Sequence, residues 1–460
     1  MKLRSNAVVL AALAACIAQA QDVSLYSTTM AQMWKQDIPD FDKSTYAPVT
    51  QFLGIDATKI GTEALSLHIF GWGRADLADQ SMPGGKTSGY LSSAYLQYRF
   101  PTANAEIKAG RISINQGVGF EQIDGVSAKA DLIGGFAVSA FGGRPVWFKV
   151  QDAYSQQDYE FQRDVIAGAR ISWRAPKFGE IGVSYLQDGT TAAQDLPIPS
   201  DVDYSRRQVG FDLKIAPVAA FDFSGRTVLD VAKHPEVLPG HPTPSKIAEH
   251  DYSVTVKAIE KLTFAASYVE RNFFAFFAGT NMPSLFRQDE RDKFKATAGS
   301  VTWGSVAAIQ VTADYKHTQR ETYGASNRIG ADLRWAMDGL KLRSGFGFHK
   351  VTADDVKVVD WKVPAYGPSY SEFRAWVMYD KGKLSASADV IFHAFDDKNN
   401  PNLNNQSSQY EVVGSLGYQV NPSFKVSGDL GFGANPLAKK EVMGLLRAEY
   451  RFTTVKGGAK

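Results

Sequence analysis

The side chains with the widest chemical range are seven histidines: His68, His234, His241, His250, His317, His349 and His393. An imidazole can move protons near neutral pH or hold a metal, and either task needs further donors at a suitable spacing. The spacings that would supply them are missing: there is no His-Glu-x-x-His, no Gly-x-Ser-x-Gly and no phosphate-binding glycine loop. His234 and His241 share a proline-rich stretch from Pro235 to Pro244, but two histidines do not complete a coordination shell. The chain is therefore expected to need no metal or cofactor and not to be an enzyme. His68, His349 and His393 fall among other polar residues at alternate positions and read as part of a polar lining.

The charged residues are better organised. Arg74 and Asp76, Lys129 and Asp131, and Arg226 and Asp230 each sit at a spacing that puts both members on one face of an extended strand. Arg328, Asp332 and Arg334 share a parity on one segment, with Lys341, Arg343 and Arg374 on the same parity of those that follow. Charges this dense cannot face lipid, where a mid-plane Arg or Lys costs about 2–4 kcal/mol. They imply a hydrated or protein-filled interior. The signs are mixed, so strong ion selectivity is not expected; Arg328, Arg334, Lys341 and Arg343, with only Asp332 among them, are the candidate selective wall. The plainer use of these residues is pairing across neighbouring strands.

The elements that must carry such a lining are strands. Tyr90, Ala94, Leu96, Tyr98 and Phe100 hold one parity against Ser93, Gln97 and Arg99 on the other. A helix cannot sort residues this way, whereas a strand of period two does. The same pattern recurs, as in Phe373, Ala375, Val377 and Tyr379 before the turn at Lys381-Gly382 and Leu384, Ala386, Ala388 and Val390 after it. Short turns (101–103, 133–135, 175–178, 337–339, 380–382 among them) alternate with longer polar segments such as 144–163, 188–205, 271–292 and 350–369. That asymmetry belongs to an antiparallel up-and-down transmembrane β-barrel, here of about 18–22 strands, with both chain ends on the short-turn side if the count is even. Aromatics such as Tyr98, Trp173, Trp335 and Tyr418 cluster beside the short turns, as an interfacial girdle requires. Trp303 is out of step with Phe294, Ala296 and Ala298, which predicts a bulge at Gly299 and puts Lys295 in the lumen.

The first 20 residues read as a secretory signal peptide: Lys2 and Arg4, an apolar run, then Ala18-Gln19-Ala20. Leu13-Ala14-Ala15-Cys16 also resembles a lipoprotein signal, which would retain Cys16 as a lipidated first residue. The barrel is expected over 21–452, with a short tail at 453–460. Cleavage after Ala20 removes the one cysteine and reduces 50 Lys+Arg to 48, equal to the 48 Asp+Glu. No basic excess then points to nucleic acid. A mean hydropathy of -0.22 without a long apolar run excludes a helical membrane protein, but not a barrel whose strands hide their apolar half by alternation.

Strand patterning begins almost at the cleavage site, so no plug domain is expected. A barrel this wide then needs inward-folded loops or a separate protein inside it. The candidate loop is 271–292, where Phe273, Phe274, Phe276, Phe277 and Phe286 are too apolar for a solvated segment; it would constrict the lumen, bind a partner or pack on neighbouring loops.

The mature chain resembles porin-like Gram-negative outer-membrane proteins. Phe70-Gly71-Trp72-Gly73-Arg74-Ala75-Asp76-Leu77, the run Gly89 to Tyr98, Gly110-Arg111 and Ile123-Asp124-Gly125-Val126 are similar to segments of one subgroup, the barrel components of outer-membrane electron conduits in metal-reducing bacteria. That resemblance implies a sleeve threaded by multihaem cytochromes, and it carries no haem ligand onto this chain. The expected function is a channel for small hydrophilic solutes, with the cytochrome sleeve as the alternative and an outer-membrane hydrolase third. Expected partners are outer-membrane lipid and lipopolysaccharide, the barrel-assembly machinery and, for the sleeve, multihaem cytochromes.

Overall fold

The computed structural model describes residues 16, 18–37, 44–78, 86–146, 165–189, 206–231, 246–272, 293–305, 307–320, 324–354, 368–397, 403–436 and 438–455. No helix among them is long and apolar enough to cross a membrane. The described chain is almost entirely strand. The first strands are β1 (Asp22–Asp37), β2 (Ser44–Tyr46), β3 (Pro48–Thr58), β4 (Leu65–Asp76), β5 (Thr87–Arg99), β6 (Ala105–Gln116), β7 (Gly119–Asp131) and β8 (Phe136–Pro145). Next come β9 (Val165–Ala175), β10 (Gly179–Gly189), β11 (Arg206–Val218), β12 (Phe221–Asp230), β13 (Ile247–Ile259), β14 (Leu262–Asn272), β15 (Lys293–Gly304) and β16 (Ile309–Arg320). The series ends with β17 (Gly324–Met337), β18 (Leu342–Ala353), β19 (Tyr370–Lys381), β20 (Leu384–Phe395), β21 (Ser408–Asn421), β22 (Phe424–Ala434) and β23 (Lys440–Val455).

From β3 onward each strand pairs antiparallel with the next, and β1 pairs with both β3 and β23, which closes the sheet. The three-residue β2 lies beside the end of β1, from Trp34↔Tyr46 onward, in line with β3. The pair act as one stave of the wall, giving, among the described residues, a closed antiparallel barrel of 22 strands with no plug evident. Closure removes the open sheet edges that would otherwise leave backbone donors and acceptors unpaired in lipid. Both ends of the barrel chain lie together, Asp22 opposite Val455, on the side of the short turns. Thr453, Thr454 and Val455 form the last part of β23, paired with Ser24, Val23 and Asp22.

The alternation partitions the wall between two solvents. Phe346, Phe348, Phe373, Val377, Val390 and Phe392 are exposed on the outer face. The inward neighbours on the same strands include His349, Glu372, Arg374 and Asp389, tied by cross-strand contacts. Trp173, Trp335 and Tyr418 stand exposed near the short-turn end, where an aromatic belt meets the interface.

One predicted irregularity is absent. β15 pairs with β14 and β16 without a register shift, so no bulge occurs at Gly299. Val301 and Trp303 are exposed while Ala296 is buried, which gives Phe294, Ala296 and Ala298 the inner parity. Lys295 takes the outer parity with Glu270, 3.6 Å away, near the long-loop end. Small apolar residues fit either face of a strand, and Ala296 and Ala298 misdirected the parity.

Candidate functional site

β6 and β7 leave the wall partway along their length. β5 pairs with β6 only from Arg99↔Glu106 to Ala94↔Arg111. β7 pairs with β8 from Asp131↔Ala137 to Ile123↔Pro145. β6 and β7 nevertheless stay paired with each other as far as Gln116↔Gly119. Residues 112–122 thus form a two-stranded ribbon that departs from β5 on one side and extends past the residues paired with β8 on the other. Gly110 makes the departure possible: its φ is +130°, and a Cβ there would stand 2.2 Å from the Ala94 carbonyl oxygen.

The ribbon runs into the lumen. At its tip, the Val118 N–H donates to Ser184 Oγ at 3.1 Å, and Ser184 lies midway along β10. The Val118 side chain fills a hole over Gly210 of β11, where a Cβ would come within 2.2 Å of Val118 Cγ1. The Arg226 guanidinium of β12 stands 5.0 Å from the centre of the Phe120 ring. Ile112, Ile114 and Ile123 bury one face of the ribbon against Phe141, Ile166, Leu186, Val228 and Ala248, which come from the inner faces of five strands of the wall. Ser113, Asn115 and Phe120 remain exposed.

Two kinds of interaction hold the ribbon, and their sizes differ. At the root, Arg111 forms a two-pronged pair with Asp124 at 2.7 and 2.8 Å and donates to the Leu91 carbonyl at 3.0 Å. Gln122 takes the Tyr90 hydroxyl and donates to the Ser92 carbonyl, and Ser92 is the residue skipped by the register shift between β4 and β5. An exposed ion pair contributes about 0–1 kcal/mol. Full burial of one isoleucine contributes about 1.5–3 kcal/mol, and Ile112 and Ile123 are 1% and 0% exposed. The hydrophobic term dominates because a polar interior is aqueous, so apolar burial there gains what it gains in a soluble core.

Beneath the tip the wall is charged but compensated. Arg170 binds Asp212 and Glu180, the latter at 2.9 Å. Glu249, 2% exposed, lies between Arg226 and Arg271. The ribbon therefore narrows the lumen with an apolar face against the wall, an exposed face of Ser113, Asn115 and Phe120, and a paired-charge floor.

The sequence-selected residues are spread around the barrel rather than gathered. Arg226 reaches the ribbon. Asp76 is buried, and its Oδ1 accepts from the backbone N–H of Ala47 (3.1 Å) and Ala78 (2.9 Å), so it caps the end of β4; Arg74 lies two residues before it. Asp230 is buried at the end of β12, and Asp131 meets Asn104 at the short-turn end, with exposed Lys129 beside it on β7. Arg328 pairs with Asp314 at 2.9 Å, Asp332 stands 3.5 Å from His349, and Arg374 pairs with Asp389 at 3.1 Å. Arg334 and Arg343 are exposed, and Lys341 sits with φ +55° in the tight turn between β17 and β18. Of the candidate basic wall, Arg328 has an acidic partner, while Arg334, Lys341 and Arg343 are exposed. Phe273, Phe274, Phe276, Phe277 and Phe286 lie outside the described residues.

Ile112, Ile114, Val118 and Ile123 were missed, although the sequence carries their signal. Ala105, Ile107 and Ala109 hold one parity, and Ile112 and Ile114 hold the other. The tip, Gly117-Val118, also falls where the alternation calls for a long loop.

Solved structures match the chain across nearly all its length. OccAB2 of Acinetobacter baumannii is 10% identical, with 94% of this chain and 98% of that one covered at a TM-score of 0.45. The outer membrane protein OpdK of Pseudomonas aeruginosa is 10% identical, with 95% and 100% covered at 0.40. A mutant of the ferric enterobactin receptor PfeA from the same species is 8% identical, with 94% and 81% covered at 0.53. The likeness to PfeA shows the fold alone, a closed antiparallel β-barrel. No protein-family model and no curated protein matches the chain.

Proposed function

We propose that the barrel is an outer-membrane channel for small hydrophilic solutes, narrowed at mid-height by the ribbon 112–122. The observation that carries this reading is the ribbon itself: it occupies part of the lumen and leaves Ser113 and Asn115 exposed beside Phe120. The channel floor is set by charge pairs such as Arg170–Asp212 and Arg226–Glu249, which favours weak rather than strong ion selectivity. A lumen already holding its own hairpin suits free solutes better than a threaded cytochrome. Export by residues 1–20, insertion by the barrel-assembly machinery and contact of the outer girdle with lipid and lipopolysaccharide complete the proposal. The purified full chain in planar bilayers is expected to give stable unitary conductance. A closed or erratic pore that co-purifies with haem protein would overturn the channel reading in favour of the sleeve.

A further inference from the structure

On the inner face of β16–β21, one cross-strand row carries an unusual set of residues. Register aligns Asp314, Gly330, His349, Glu372, His393 and Gln409 on six successive strands. The His349 side chain is 3% exposed, and its Nε2 stands 3.0 Å from Asp314 Oδ1 and 3.5 Å from Asp332 Oδ2. One ring N–H can serve one of these carboxylates well, not both. The three donor atoms all lie within 4.8 Å of one another. Donors bound about 2.0–2.2 Å from a first-row divalent ion, at angles near 90–110°, stand roughly 3–3.5 Å apart. The two distances from Nε2 match that separation.

We propose that Asp314, Asp332 and His349 bind a first-row divalent cation, with zinc as the representative ion. The other ring nitrogen supports the assignment. His349 Nδ1 is buried without a hydrogen bond and faces Glu372 Oε1 at 3.5 Å. A metal-bound histidine typically turns its second N–H to a carboxylate, which fixes the ring and strengthens the ligand. Glu372 is in turn held by His393 Nε2 at 2.9 Å, and Asp314 by Arg328 at 2.9 Å. Three carboxylates converge on the one imidazole, and a divalent ion would offset that local excess.

The surroundings leave room for this arrangement. A Cβ at Gly330 would lie 2.1 Å from His349 Cδ2, and one at Gly347 would lie 2.4 Å from Asp332 Oδ1. Both glycines make space for the donor side chains. Asp332 is 38% exposed and Asp314 18%, so an ion can enter from the lumen and keep positions open to water. Two carboxylates and one imidazole suit zinc, iron, manganese or nickel better than calcium, which takes six to eight oxygens.

The test is equilibrium binding of zinc ion to the refolded full chain, by calorimetry and by metal analysis after dialysis. Heat-modifiable gel mobility checks that each barrel is folded. One equivalent is expected in the unmodified chain. His349→Ala and Asp332→Asn should remove it, and Glu372→Gln should weaken it by about 10–100-fold. His317→Ala, on the outer parity of β16, should leave it intact. Absence of a stoichiometric equivalent, or its persistence in folded Asp332→Asn and His349→Ala barrels, overturns the site. Uptake of calcium in place of zinc overturns the assigned ion class. Conductance plays no part in these readouts, so failure of the channel reading and failure of the metal site are separate outcomes.

Discussion

Two stretches of inner wall face the same lumen and are built on opposite principles. Along β8–β13 the wall turns Phe141, Ile166, Leu186, Val228 and Ala248 inward, and the ribbon 112–122 covers them. Along β16–β20 the inward positions carry Asp314, His349, Glu372, Arg374 and Asp389, joined by polar contacts. The first stretch holds a hydrophobic core inside the barrel, above a floor of paired charges. The second behaves as a solvated ionic lining. Inward parity therefore does not mean polar; it means whatever the opposing surface requires.

The largest expected effect comes from removing the cover. Replacing residues 113–121 with a short glycine-serine turn should raise unitary conductance severalfold, because the lumen loses its mid-height obstruction while the remaining ladders of β6 and β7 stay in the wall. Unchanged conductance in planar bilayers would mean that the ribbon is not the narrowing element.

A smaller change probes the same contrast through stability. Ile123→Ala removes a side chain that is 0% exposed and should cost about 2–5 kcal/mol, read by urea unfolding in micelles. A cost near zero would show that the inner cluster is not packed as a core.

The smallest effect is expected on the ionic side. Arg374→Ala breaks a pair whose members are 52% and 33% exposed, and should shift stability by no more than about 1 kcal/mol. It should move the reversal potential slightly toward cations, since one inward positive charge is lost. A stability loss as large as that of Ile123→Ala would erase the distinction between the two stretches.

Much of the barrel was legible residue by residue. Phe373, Ala375, Val377 and Tyr379 announce an outer face, and the Lys381-Gly382 turn announces the return strand; β19 and β20 pair as that pattern requires. The strand number falls at the upper end of the expected range. The candidate site was less legible. Ile112 and Ile114 switch parity relative to Ile107 and Ala109, yet a switch alone reads as a bulge or an irregularity. Only the contact of Val118 with Ser184 and Gly210 shows where the ribbon goes. His349 illustrates the same limit. Its inward direction follows from Phe346 and Phe348, but nothing near it in sequence names Asp314 or Asp332 as its neighbours.

The sequence by itself determined the division of the wall into a lipid face and a water face. Side-chain direction in an extended strand alternates residue by residue, so that division is a local property. The tertiary structure decided which inward residues meet, which are covered and which stay open to the lumen. Those outcomes depend on register between strands and on where the β6–β7 hairpin leaves its neighbours. Register is set by pairing distant segments, and a one-residue slip would exchange every partner while leaving the alternation of each strand unchanged.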